Sequence, residues 1–70
     1  MTFTLSQYKE NEDNNDHSFN AFCIVKEFGT SEELKIITEI LDKHDENGHI
    51  EKVDQNKRDK ISRKYINKLN

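Results

Sequence analysis

"SFNAFCIVKEF", residues 18–28, is the most apolar stretch of this chain, and whether it is strand or helix decides the fold. It is rich in aromatic and β-branched residues, which suit a pleated surface. As a strand it sets Phe22 and Ile24 on one face and Ala21, Cys23 and Val25 on the other, so both faces are covered. As a helix its apolar residues point all round the axis. A strand is the expectation; the alternative is a helix stopped by Gly29, which gives an all-α, three-helix chain.

Towards the N-terminus, Thr2 to Tyr8 alternates apolar and polar residues at period two, the pattern of a strand with one wet face. The segment between, Lys9 to His17, is "KENEDNNDH" and holds no apolar residue, so an exposed loop is expected, with a hairpin pairing residues 2–8 and 18–28 across it.

Downstream the periodicity is helical. Thr30 is followed three residues later by Glu33, the spacing at which each side chain satisfies the other residue's free backbone N–H. A helix over 31–44 follows, with Leu34, Ile36, Ile37, Ile40 and Leu41 on its apolar side and Gly48 beyond its end. Asp54 is placed to cap a last helix running to about Leu69, on which Ile61, Tyr65, Ile66 and Leu69 gather on one side. The expected fold is α+β: one small domain, residues 1–70, with an N-terminal β-hairpin followed by two amphipathic helices, ββαα.

Seventy residues lie near the size where one core barely offsets the entropy of the chain. With 31% hydrophobic and 36% charged residues, a thin core is expected, helped by a partner or a second copy. No apolar run approaches the ~18 residues of a membrane span, and the start of the chain lacks the pattern of a signal peptide, so a cytoplasmic location is the expectation. The single Cys23 has no partner for an internal disulfide, and among Phe22, Ile24 and Val25 a buried structural thiol is expected.

The connection between the two helices, "DKHDENGHIEKVD" at 42–54, resembles the calcium-binding loop of the EF-hand family. With Gly48 as the loop glycine and Ile50 as its apolar residue, Asp45, Asn47, the His49 carbonyl and Glu51 take ligand positions. The first ligand position, however, falls on Lys43 and the last on Asp54, which is shorter than the bidentate glutamate the family uses there. In that register the preceding helix presents Lys35, Thr38, Glu39 and Asp42 where the family places apolar residues. The likeness covers one loop and at most one helix. His17, His44 and His49 have no ligand spacing with a cysteine or with each other, and a His44, Asp45, His49 zinc cluster is not expected. No metal, no cofactor and no catalytic motif is expected, and the chain is read as a non-enzyme.

Charge is sorted along the chain. Residues 1–54 hold 13 acids and 5 bases, net −8, while residues 55–70 hold 1 acid and 6 bases, net +5. Lys57, Lys60, Lys64 and Lys68 recur at helical spacing and form a basic stripe on the expected last helix. The leading expectation is a small acidic regulator or inhibitor that binds a larger protein through Glu32, Glu39 and Asp42, with Ile50 and Val53 as apolar anchors. Small size and acidity also suit a phage, viral or mobile-element origin. A second expectation is a nucleic-acid-associated protein using the basic stripe, which the acidic remainder of the chain opposes. The third is a structural homodimer burying Ile36, Ile40 and Ile66.

Overall fold

Thr4 does for the first helix what Thr30 does for the third. Its Oγ1 accepts from the Gln7 N–H at 3.2 Å, and the Gln7 Oε1 accepts from the Thr4 N–H at 3.0 Å. This reciprocal cap starts α1, Leu5–Asp13. In the computed structural model, which describes residues 2–70, the elements that follow are α2 (His17–Phe28), α3 (Ser31–Asn47), α4 (Lys52–Arg63) and a 3-10 turn at Ile66–Lys68. The described residues contain no strand.

The α+β expectation is thereby overturned in favour of an all-helical fold, and the ββαα order with it. The segment 2–8 is a cap and the first turn of a helix. The polar segment 9–17 is mostly helix, with only Asn14, Asn15 and Asp16 outside. Asn15 adopts φ 62, a left-handed conformation that asparagine tolerates better than most residues, and so reverses the chain into α2.

Residues 18–28 form a helix because their apolar residues fill two different surfaces. Ala21, Ile24 and Val25 are almost wholly buried and, with Ile37 and Ile61, make the core. Phe19 and Cys23 turn away from it, and Phe22, packed against its edge, also faces outward. Asn20 is 2% exposed and fully engaged: its Nδ2 donates to the Tyr8 carbonyl at 2.9 Å and its Oδ1 accepts from Asn11 Nδ2 at 2.9 Å. One buried amide thus fastens α1 to α2, and leaving it unpaired would cost about 1–3 kcal/mol.

The helix ends at Gly29, where a Cβ would stand 2.8 Å from Val25 Cγ1 and 2.9 Å from the Val25 carbonyl oxygen. The close approach, not backbone torsion, requires glycine there. α3 begins at the Thr30–Glu33 cap as its spacing implies, and closes with Gly48 at φ 75 in the left-handed region. α2 is the central element and packs against all three other helices.

The last helix departs from expectation. It starts at Lys52, with Glu51 in the capping position, and stops at Arg63 instead of reaching Leu69. Tyr65, Ile66 and Leu69 still pack on the core, but from a turn that folds back over it. The Leu5 N–H then donates to the Asn70 carbonyl at 2.9 Å, so the two ends of the described chain meet.

Candidate interaction surfaces

The outer wall of α2 and the adjoining side of α1 enclose an open groove of about 690 Å³. Phe3, Phe19, Phe22 and Cys23 form its apolar wall, and Glu10, Lys26 and Glu27 stand at its rim. Phe19 is 55% exposed and continues the apolar wall out to solvent. The Lys26 ammonium lies 5.7 Å from the centre of the Phe22 ring, a cation–π distance. The floor near the N-terminus is fixed by two contacts. Glu27 Oε2 accepts from the Phe3 N–H at 2.6 Å, and the Phe3 ring meets Tyr8 edge to face at 6.5 Å and 76°. Cys23 is half-buried on this wall instead of lying in the core, and burial pushes its thiol up from the ordinary value, partly offset by the Lys26 charge. Burial and the neighbouring Glu12 likewise push the Tyr8 phenol up to about 12.

A second surface is built by α3 and α4, which run antiparallel. Lys64 Nζ reaches Glu33 Oε2 at 2.8 Å at one end of the pair, and Lys43 Nζ lies 4.0 Å from Asp54 Oδ2 at the other. Glu32, Glu39 and Asp42, expected at a partner surface, are exposed on the outer side of α3. Val53, 69% exposed, does not join them: it lies on α4 with Lys57 and Lys60. Ile50 is half-buried and lines two smaller cavities beside the inter-helix turn, so it fills space there and is a poor anchor for a partner.

The expected basic stripe is broken because α4 ends early. Lys57 and Lys60 share its outer side, Lys64 is taken up by Glu33, and Lys68 lies beyond the turn at 64–65. The homodimer face expected from Ile36, Ile40 and Ile66 does not exist in that form either. Ile40 is 4% exposed inside the core, Ile66 is half-buried against the core, and Ile36 at 36% exposed stands apart from both.

At the loop resembling an EF-hand, the residues of the first and last ligand positions, Lys43 and Asp54, face each other as an ion pair. Among the described residues no group of three or more His, Cys, Asp or Glu side chains is placed to hold a metal ion. His49 Nδ1 lies 3.3 Å from the Asn47 carbonyl, and the His17 ring meets the Glu12 carboxylate across the α1–α2 turn, so these two histidines serve separate local contacts.

Sequence reasoning missed Arg58. It is 6% exposed, donates from Nε to Asp59 Oδ1 at 3.0 Å and from Nη1 to Ser18 Oγ at 3.0 Å, and thereby ties α4 to the start of α2. The signal was its spacing: Arg58 precedes Ile61 and Ser62, both buried, by three and four residues. No helix among the described residues is long and apolar enough to cross a membrane. Comparison with protein-family models, with curated proteins and with solved structures finds no match.

Proposed function

We propose that this chain is a small non-enzymatic regulator that binds a larger protein, with the α1–α2 groove as its docking site. The observation that carries this reading is the exposed Phe19 at the mouth of a groove walled by two further phenylalanines. Aromatic anchors at the centre of a contact supply most of the energy in protein interfaces. The wall suits binding more than chemistry, since its one nucleophile, Cys23, is held away from the thiolate form.

The occupant best matched to the groove is an amphipathic segment with an apolar anchor and basic flanks. At the rim of the groove stand Glu10 and Glu27 against Lys26. Complementary charge of this kind sets orientation and association rate more than affinity.

Affinity capture followed by mass spectrometry tests the reading with two variants. Phe19→Glu is expected to lose a stoichiometric partner that wild type captures, while Lys60→Glu, on the opposite layer of the fold, keeps it. Both sites are exposed, so helicity by circular dichroism should not change. Retention of the partner by Phe19→Glu would overturn the proposal.

A further inference from the structure

The outer sides of α3 and α4 carry opposite charge. At ~100° per residue, Glu32, Glu39, Asp42 and Glu46 share the outer side of α3 with one base, Lys35, among them, a net of −3, while Lys52, Lys57, Lys60 and Arg63 share that of α4, a net of +4. All nine are exposed. Among the described residues none of them is in a salt bridge, the two inter-helix pairs using Glu33, Lys64, Lys43 and Asp54 instead. Each strip holds one exposed β-branched residue, Ile36 on the acidic one and Val53 on the basic one.

Packed helices lie ~8–10 Å apart, about one Debye length at physiological salt, so neither strip acts alone. A nucleic acid laid on α4 also meets the acids of α3, and a purely basic peptide laid on α3 meets the lysines of α4. The face fits a surface with the same two strips in the opposite order, and a second copy of this chain, turned over, presents that surface.

We propose that two copies associate through this face, related by a two-fold axis parallel to the helices, so that α3 of each lies antiparallel on α4 of its mate. A two-fold axis in the same plane but perpendicular to the helices would set acid on acid and base on base; the charge pattern selects the parallel one. Its register follows from the pairs inside each chain. Glu33 is level with Lys64 and Lys43 with Asp54, and a two-fold axis along the helices keeps every residue at its own height. Lys52 then comes opposite Glu46, Lys57 lies between Glu39 and Asp42, Lys60 meets Ile36 and Glu39, and Arg63 lies between Glu32 and Lys35, the one like-charge approach in the face. Exposed ion pairs are individually weak, so the dimer is concentration-dependent and sensitive to salt.

Sedimentation of the full chain, followed up to about 1 mM in about 20 mM and about 500 mM salt, tests this arrangement. The mass should double with concentration at low salt, and the dissociation constant should rise at least about tenfold at high salt. Lys60→Glu with Arg63→Glu should leave a monomer, as should Glu32→Lys with Glu39→Lys, and all four changes in one chain should restore the dimer. Circular dichroism confirms that each variant folds. A monomer throughout at low salt would overturn the proposal, as would a dimer that survives both reversals and is released by Phe19→Ser. Binding of duplex DNA to monomeric wild type at low salt would overturn it too.

Discussion

α3 is fastened to α4 at both ends, and the two fastenings are built differently. At the start of α3, three donors converge on one carboxylate: Lys64 at 2.8 Å, the Thr30 N–H at 3.0 Å and the Tyr65 hydroxyl. The Glu33 side chain is 13% exposed, and these contacts, the Lys64 hydrogen bond foremost and then Tyr65 and Thr30, hold its carboxyl down to about 2. At the far end a single lysine, 65% exposed, stands 4.0 Å from Asp54. The Asp54 side chain is 16% exposed, close to Glu33, so what separates the two ends is distance and the number of converging donors. A charge-assisted cluster at hydrogen-bond length is expected to hold the helices more firmly than a single pair at the ion-pair limit.

Removing the Glu33 carboxylate should break the stronger end. Glu33→Ala deletes one half of the α3 cap together with the partner of Lys64 and Tyr65. Loss of a cap alone is worth roughly 0.5–2 kcal/mol, and in a domain of this size each 1 kcal/mol lowers the melting temperature by roughly 4–8 °C. Urea and thermal unfolding should show a clear loss; a change within error would show that the cluster holds nothing together.

The same carboxylate gives the fold a dependence on acid. Its pKa is depressed in the folded state, so the stability it contributes is fully present above its ordinary value of 4.5 and is lost as pH falls towards about 2. Wild type should therefore lose stability across that window more steeply than Glu33→Gln, with the gap between them narrowing as pH falls. Parallel curves in urea unfolding at successive pH values would contradict the assignment.

At the other end of α3 the backbone matters more than the charge. Gly48 sits at φ 75 with open space where a Cβ would be, so Gly48→Ala meets no clash and carries only the left-handed backbone penalty, about 1 kcal/mol. The drop in melting temperature should be smaller than that of Glu33→Ala. An equal or larger drop would mean that the loop end is the stronger one.

How far these features could be read from the residues depended on whether one surface or two shaped the local pattern. α3 has a single apolar side, a capping pair at Thr30 and Glu33 and a terminal Gly48, and all three were legible. In α2, Ala21, Ile24, Val25 and Phe28 do follow helical spacing, but Phe19, Phe22 and Cys23 line the groove on another side. The sum looked apolar all round and favoured a strand. Thr4 and Gln7 carry the same cap as Thr30 and Glu33, yet the alternation of Phe3 and Leu5 with threonines and a serine masked it. The end of α4 had no glycine or proline to mark it, and Tyr65, Ile66 and Leu69 keep an apolar spacing that a turn over the core satisfies as well as a helix. Of the residues expected at a partner surface, the three acids of α3 are exposed together, whereas Ile50 and Val53 are separated because the turn at 48–51 buries one and α4 turns the other outward.

The smallest effect should come from the Lys43–Asp54 pair. Asp54→Asn keeps the size of a side chain that is 16% exposed and removes only its charge, against a lysine at the limit of ion-pair distance. The expected change is under about 0.5 kcal/mol, and the coupling in a double-mutant cycle with Lys43→Gln should be as small. The matching cycle of Glu33→Gln with Lys64→Gln should give the larger coupling, because there the contact is at 2.8 Å and the carboxylate is fixed by the Thr30 N–H and the Tyr65 hydroxyl as well. If the two cycles gave equal values, the number of converging donors would not be what distinguishes the ends, and the register proposed for the dimer would lose the rigid end of the α3–α4 pair from which it is measured.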